Sequence, residues 1–179
     1  MEPVESGESV LITGGSAGIG LAAAEYLAAR GYRIFATTRS LAARREVIAA
    51  AEKKYGESLC FLEMDTTNDA SVERGVSEVI QKCGRIDHLV CNAGIVIIGS
   101  IEETPISLVR AQLDVNLMGY IRTVQAVLPL MRRQGRGRIV LVSSLAAILA
   151  IPFQSPYSMS KYAVEALAEG LKCAVFVRR

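Results

Sequence analysis

Histidine and cysteine, the side chains from which zinc sites and disulfide frameworks are built, are scarce in this sequence. There is one histidine, His88, and the cysteines are Cys60, Cys83, Cys91 and Cys173. No CxxC pair and no histidine cluster lies near any of them. We therefore expect no disulfide framework and no bound metal.

An excess of charge of one sign and long hydrophobic runs are also lacking. The net charge is +2, and the basic residues are scattered, so no nucleic-acid partner is expected. The most apolar stretch, IVLVSSLAAILAIPF, is interrupted by Ser143, Ser144 and Pro152 and is too short to cross a bilayer. The N-terminal MEPVESGESVLITGG is acidic where a signal peptide would be basic and apolar. These features predict a cytoplasmic protein with no transmembrane segment.

Hydrophobic residues make up 51% of the sequence, and they follow an alternating pattern. Short apolar runs alternate with segments of helical periodicity, and a long apolar helix runs from Pro105 to about Met131. The runs that predict strands are SVLIT, YRIFATTR, SLCFLEMD, IDHLVCNAG and GRIVLVSS. This pattern predicts an α/β fold with a doubly wound parallel sheet, the Rossmann fold, in three α/β/α layers. We expect one domain over residues 1–179.

The segment TGGSAGIG, from Thr13 to Gly20, joins the first predicted strand to the first predicted helix. Gly14 can take the positive φ of a tight turn, Gly18 lets the backbone approach a pyrophosphate, and Gly20 lets the helix pack closely on the strand. A helix that begins here presents free N–H groups to phosphates. The segment favours a dinucleotide site, and the alternative is an ordinary tight turn.

Tyr157 and Lys161, in YSMSK, lie four positions apart at the start of the last predicted helix. Their phenol and ammonium groups therefore share one helix face. A tyrosine ordinarily titrates near pH 10, so a neighbouring cation that favours the phenolate is needed for proton transfer near pH 7. Surface packing is the alternative for the pair taken alone.

Five motifs together resemble the short-chain dehydrogenase/reductase family. They are the glycine segment, NAG at Asn92 to Gly94, Asn116 in LDVNLMG, Ser144 in VSS, and Tyr157-x-x-x-Lys161. Their order and spacing are similar to the family's over nearly the whole chain. VCNAG, LDVN and the PF before the tyrosine look nearest to the branch of 17β-hydroxysteroid and retinol dehydrogenases.

The resemblance implies a nicotinamide-dependent oxidoreductase. Tyr157 would exchange a proton with the substrate oxygen, Ser144 would hold that oxygen, Lys161 would assist Tyr157 and bind the nicotinamide ribose, and Asn116, at a local helix break, would hold a relay water. The implied catalytic residues are Asn116, Ser144, Tyr157 and Lys161, with Ser144 also contacting the substrate. The implied cofactor contacts are Gly14, Ser16, Gly18, Ile19, Gly20, Arg39, Asp65, Asn92, Ala93, Gly94, Tyr157 and Lys161.

The assignments of Ser144 and Asp65, and the interpretation of Cys91, each involve a choice between two roles or two residues. Ser144 is preferred to Ser143 because its distance from Tyr157 matches the family, and neighbouring strand residues point to opposite faces. Asp65 resembles the family's adenine contact, and its alternative is a helix N-terminal acid or a turn residue. Cys91, which precedes Asn92 where the family more often has asparagine, is predicted to be a buried filler and not a nucleophile.

Arg39, in TTRS after the second strand, decides the predicted cofactor. No carboxylate stands there to accept from the ribose 2′-OH of NAD, and a guanidinium suits a 2′-phosphate. NADP is therefore expected, with NAD as the alternative if Arg39 is a solvated surface residue. The glycine segment lacks the additional basic residue that many NADP-using relatives carry.

Apolar residues on either side of the predicted site favour a lipophilic alcohol or ketone, such as a steroid or retinoid, although core packing explains them nearly as well. They are Val96, Ile97, Ile98, Leu145, Leu149, Ile151 and Phe153. The sequence ends after the Tyr157 helix, and we expect the C-terminal strands and substrate lid of the family to be missing. The alternative function is a catalytically impaired form that binds dinucleotide or pairs with a partner. A homo-oligomer, either a dimer or a tetramer, is expected through the long helix and the Tyr157 helix, as in relatives.

Overall fold

A computed structural model of the chain describes residues 7–176, which form a parallel five-stranded sheet with helices on both faces. The strands are β1 (Ser9–Ile12), β2 (Arg33–Thr38), β3 (Leu59–Glu63), β4 (His88–Cys91) and β5 (Arg138–Leu141). The helices are α1 (Gly18–Ala28), α2 (Arg45–Tyr55), α3 (Asp69–Cys83), α4 (Ile106–Leu113), α5 (Gly119–Gln134) and α6 (Ser155–Phe176). The predicted doubly wound α/β fold is confirmed, and each strand forms within its predicted run.

The strand order is β3-β2-β1-β4-β5, and every neighbouring pair is parallel. The chain winds one way from β1 through β3 and the other way from β4 to β5, so the order reverses between β1 and β4. In the register of these two strands, Val10 pairs with His88 and Ile12 with Val90. The loops after both strands therefore leave the same edge of the sheet side by side, where doubly wound proteins bind ligands.

Two hydrophobic cores, one on each face, hold the three layers together. On one face, α1 and α2 pack small and branched side chains against β1, β2 and β3. On the other, α3, α5 and α6 pack against all five strands. All four residues of β1 are buried, as expected for a central strand covered on both faces.

The long helix predicted from Pro105 to about Met131 is interrupted by one π-helical turn, Asp114–Met118, between α4 and α5. There the Gly119 N–H reaches back to the Asp114 carbonyl, five residues earlier. The Arg122 guanidinium braces this turn, since it contacts Asp114 Oδ1 at 2.7 Å and Asp69 Oδ1, on α3, at 2.6 Å. Single π turns are often found at functional sites.

The amino ends of β1 and β4 are joined through one buried carboxylate, Asp87, which is 3% exposed. Asp87 Oδ2 accepts from Ser9 N at 2.9 Å and from Ser9 Oγ at 3.1 Å. Arg85 Nε donates to its other oxygen at 2.9 Å, and Arg136 lies 3.4 Å from that oxygen. This network fastens the end of the sheet that faces away from the loops described next.

None of the helices within residues 7–176 has the length and apolar character that a membrane crossing requires.

Candidate active site

A cleft of about 680 Å³ opens where the strand order reverses, at the carboxyl ends of β1, β2 and β4. Its lining includes Gly14, Ser16, Gly18, Ile19, Thr38, Arg39, Ser40, Arg44, Met64, Thr66, Asn92, Ala93 and Gly94. Most of the predicted cofactor contacts therefore share one cleft. Gly20, Asp65, Tyr157 and Lys161 are outside its lining, as are Asn116 and Ser144.

The glycine segment forms the floor of this cleft, and each predicted glycine has its own steric environment. Gly14 has φ +65°, and a Cβ there would lie 2.9 Å from the Ala93 Cα. A Cβ on Gly20 would lie 2.5 Å from the Gly14 carbonyl oxygen, so only glycine lets α1 pack this closely. Gly18, with φ +51°, faces open space.

Helix α1 begins at the cleft with its N–H groups free of a side-chain cap, because Ala17 stands at the N-cap position. The first turn of α1 also lacks an acidic residue. An uncapped N-terminus has unsatisfied donors and the positive end of the helix dipole, both of which suit a phosphate. The residues present therefore fit the diphosphate of a dinucleotide.

Thr13 and Asn92 fasten the glycine segment to the loop after β4. The Thr13 hydroxyl accepts from Asn92 N at 2.9 Å and from Ala93 N at 3.0 Å. In return, Asn92 Nδ2 donates to the carbonyls of Thr13 at 2.9 Å and Gly14 at 3.2 Å. The Asn92 side chain thus builds the cleft wall.

Arg39 and Arg44 both line the corner of the cleft beyond β2, together with Ser40. Neither guanidinium forms an ion pair with a carboxylate within residues 7–176. Arg44 was not among the predicted cofactor contacts, because it belongs to a short 3₁₀ turn, Ala42–Arg44, and not to the glycine segment. Two unpaired cations beside a hydroxyl suit a monophosphate.

Asp65 lies between two cleft-lining residues, Met64 and Thr66. Its Oδ1 accepts from Thr67 N at 2.9 Å and from Thr67 Oγ1 at 2.8 Å. This is the turn role that was the stated alternative for Asp65. The carboxylate is therefore engaged within its own loop.

Asn116 is fully buried in the π turn, and its amide joins three parts of the chain. Its Oδ1 accepts from Ile95 N at 2.8 Å, and its Nδ2 donates to Ile95 O at 2.9 Å. The same Nδ2 donates to Ser160 Oγ on α6 at 3.1 Å. The local break expected at Asn116 is present, and it fixes the loop after β4 against the helix that carries Tyr157.

Lys161 is buried, at 4% exposed, one helical turn from the half-buried Tyr157. Its Nζ lies 5.8 Å from the centroid of the Tyr157 ring and donates to the Val142 carbonyl at 2.8 Å. Burial lowers the pKa of Lys161, because a low-dielectric surrounding disfavours the charged amine. The amine and the phenol are therefore neighbours in a partly dehydrated environment.

The two serines after β5 have different surroundings. The Ser143 hydroxyl is buried and has no hydrogen-bond partner within residues 7–176. The Ser144 side chain is half-buried, and its Oγ accepts from Ala146 N at 3.1 Å, capping a short 3₁₀ turn. With Oγ accepting from this amide, the Ser144 hydroxyl hydrogen is available for another acceptor.

Of the seven apolar residues predicted to contact the substrate, Ile97 and Ile151 are half-buried, and the other five form two exposed groups. Val96 and Ile98 are 52% and 68% exposed, and Leu145, Leu149 and Phe153 are 69%, 65% and 64% exposed. Gly99 N donates to Phe153 O at 2.9 Å, so the two loops are joined. Core packing therefore does not account for these five side chains.

Cys91 is completely buried in β4, as predicted. Burial raises the pKa of its thiol far above the ordinary value, which keeps it protonated and unreactive.

Known proteins resemble this chain in both sequence and fold. A family model described as short chain dehydrogenase matches residues 8–177. The 17-beta-hydroxysteroid dehydrogenase type 1 of Mus musculus is 40% identical over 90% of this chain and 48% of its own length, and retinol dehydrogenase 8 of Homo sapiens is 37% identical over 91% and 52%. A crystal structure of a short-chain dehydrogenase from Streptomyces avermitilis superposes with a TM-score of 0.89 at 33% identity, covering 95% of this chain and 61% of that one. The chain thus spans about half the length of the two enzymes.

Proposed function

The chain belongs to the short-chain dehydrogenase family, and on that premise we propose that it is an NADP-dependent oxidoreductase for a lipophilic alcohol and its carbonyl counterpart. The class of substrate would include steroids, retinoids or similar compounds. One observation carries the proposal: Tyr157 and Lys161 lie together on α6, and α6 is bonded through Ser160 to Asn116 and the loop that walls the cleft.

The cofactor would be held by residues of the cleft. The free N–H groups at the start of α1 would bind the diphosphate, and Arg39 with Arg44 would bind the 2′-phosphate. Asp65 would contact the adenine from its turn, and Asn92, Ala93 and Gly94 would line the ribose side. When bound, the nicotinamide would supply the hydride for carbonyl reduction and accept it in alcohol oxidation.

Residues of the chain itself would transfer the proton to and from the substrate oxygen. During carbonyl reduction the Tyr157 hydroxyl donates a proton to the substrate oxygen, and during alcohol oxidation Tyr157 accepts one. The Ser144 hydroxyl donates a hydrogen bond to the same oxygen and so stabilises the charge that develops there. The Lys161 ammonium stabilises the negative charge left on the Tyr157 oxygen and binds the ribose. The relay water that returns a proton to Lys161 would be held by the Asn116 backbone at the π turn, because the Asn116 side-chain amide is engaged by Ile95 and Ser160.

The exposed apolar loops support the substrate class. Val96 and Ile98 on one loop and Leu145, Leu149 and Phe153 on the other would together contact the apolar body of the substrate, while its oxygen lies between Ser144 and Tyr157. Burying one large side chain's worth of apolar surface contributes about 1.5–3 kcal/mol, so several such contacts favour a large apolar molecule over a small polar one.

Titration with NADPH, followed by a panel of ketones and aldehydes, tests the proposal. We expect enhanced nicotinamide fluorescence on binding, and NADPH consumption that is faster for a steroid ketone or retinal than for acetone. Consumption with none of the carbonyls, despite tight NADPH binding, would overturn the proposed activity. Preference for small polar carbonyls would overturn the substrate class alone.

Arg39→Asp is expected to weaken NADPH binding by about 10- to 100-fold and to shift the preference toward NADH, because a charge-assisted phosphate contact is replaced by repulsion. Arg44→Ala should weaken NADPH binding in the same direction and leave NADH binding unchanged. Dissociation constants for both cofactors, measured by fluorescence, check this.

Arg45→Ala is the matched control, since Arg45 is next in sequence but lines a separate depression with Ile48 and Phe61. It should bind both cofactors like the parent chain. An unaltered NADPH to NADH ratio in the Arg39 variant would remove Arg39 from the site.

A second candidate is a form that binds dinucleotide and pairs with another copy without turnover. The observation that favours it is the exposure of the substrate loops, because chemistry of this kind needs water to be excluded. Pairing would use α4 and α6, which expose Ile106 and Leu108 on one helix and Met159 and Tyr162 on the other. Binding of NADPH without consumption, by a dimer, is the outcome that distinguishes this candidate.

A further inference from the structure

The Lys161 ammonium is buried without a counter-ion. Its Nζ donates to the Val142 carbonyl at 2.8 Å, and no carboxylate within residues 7–176 pairs with it. Two aromatic rings are close, with Nζ 5.4 Å from the centroid of Tyr120 and 5.8 Å from that of Tyr157. The charge is therefore compensated by one carbonyl dipole and by ring faces.

Tyr120, on the first turn of α5, contacts this arrangement in two ways. Its side chain is 1% exposed, and its hydroxyl donates to the same Val142 carbonyl at 3.2 Å. A carbonyl oxygen has two lone pairs, so it can accept from Lys161 and Tyr120 together. The ring lies within the distance at which a cation and an aromatic face attract each other.

We propose that Tyr120 is a positioning residue for Lys161: its ring stabilises the buried ammonium, and its hydroxyl fixes the carbonyl that the ammonium binds. This inference rests on the proposed function for its catalytic consequence, because only a charged and correctly placed Lys161 assists Tyr157. It extends the site to a side chain that touches neither substrate nor cofactor.

The ionisable groups around Lys161 support this assignment. They include Tyr157 on its own helix, Tyr120 on α5 and Cys91 on β4, which acts electrostatically on Tyr120. Burial raises the pKa of both Tyr120 and Cys91 well above their ordinary values, so neither supplies an anion near neutral pH. Burial lowers the pKa of Lys161 itself, and a ring face that favours the charged form opposes that effect.

The test changes the electrostatic character of the ring at position 120 while keeping its shape. Tyr120→Phe keeps the aromatic face and removes the hydroxyl, whereas pentafluorophenylalanine at position 120 keeps the shape but lacks a negative ring face. The titration of Lys161 is followed by NMR of ¹⁵Nζ-labelled lysine, assigned by its loss in Lys161→Met. We expect the midpoint of the Lys161 titration to lie about one pH unit lower in the fluorinated variant than in Tyr120→Phe. The apparent pKa of the alkaline limb in the pH profile of kcat/KM should fall by the same amount.

Val124→Ala provides the control, because Val124 is buried one turn further along α5 in the same core but carries neither a ring nor a hydroxyl. Equal Lys161 titrations in the Phe and pentafluoro variants would overturn the role of the ring, as would a comparable shift in Val124→Ala. The NMR titration does not depend on turnover. A chain that shows the shift but consumes no NADPH with any carbonyl therefore counts against the proposed function and not against this inference.

Discussion

Tyr157→Phe is expected to lower kcat for carbonyl reduction by about 10²- to 10⁴-fold, the range typical for loss of a general acid or base. The substitution removes one hydroxyl and leaves the ring beside Lys161, so the packing of α6 and the cleft should survive. NADPH binding should therefore remain close to that of the parent chain. Stopped-flow kinetics with the best carbonyl of the panel, together with a fluorescence titration of NADPH, measure both quantities.

Tyr162→Phe is the matched control for this prediction. Tyr162 lies on the same helix, and its hydroxyl donates to the Ile148 carbonyl at 2.6 Å at the protein surface. Its loss should change kcat by less than about threefold, because no proton transfer depends on it. Full turnover by Tyr157→Phe would refute Tyr157 as the proton donor, and equal losses in both variants would point to a general disturbance of α6.

Gly20→Ala is expected to destabilise the chain by roughly 3 kcal/mol and to abolish NADPH binding. The new methyl group would lie 2.5 Å from the Gly14 carbonyl oxygen and 2.4 Å from Asn92 Nδ2. The amide of Asn92 could rotate, but the backbone of Gly14 is held by the turn, so α1 must move away from β1. Thermal unfolding should occur about 6–12 °C lower for a chain of this size.

Gly170→Ala separates this clash from the general effect of an alanine in a helix. Gly170 lies within α6, and a Cβ there meets nothing within 4 Å. Alanine is favoured over glycine in a helix interior by about 1 kcal/mol, so this variant should be slightly more stable and should bind NADPH normally. If Gly20→Ala behaved like Gly170→Ala, the close contact between α1 and the glycine segment would be wrong.

The strands of the sheet could be predicted from the sequence because the patterns that specify them are local. Apolar runs such as SVLIT and RIFATT indicate buried parallel strands without any knowledge of their neighbours, and the glycine at position 14 indicates a turn with positive φ. The five-motif resemblance also placed Asn116 at a helix break, which the π turn Asp114–Met118 confirms. The role of Arg122 in bracing this turn could not be predicted, because its partner Asp69 on α3 is 53 residues away in the sequence.

The same limit applies to the site. The glycine segment holds no basic residue, and Arg44 instead reaches the cleft from the turn after β2, which no motif marks. Asp65 had two sequence-based interpretations, and only its contacts with Thr67 reveal the turn. Tyr120 belongs to no sequence motif. Its relation to Lys161 depends on the packing of α5 and α6, which brings both side chains to the Val142 carbonyl.

The Asp87 network lies at the amino ends of β1 and β4, a full strand length from the edge of the sheet where Arg39, the glycine segment and the start of α6 with Tyr157 lie. Directed evolution of this chain can use that separation. A library confined to the loops after the strands would vary which of the proposed substrates or cofactors is bound, while the opposite end keeps the sheet assembled. Variants at Ser9, Arg85 or Asp87 should instead appear as changes in expression yield, with unaltered selectivity in whatever protein remains folded.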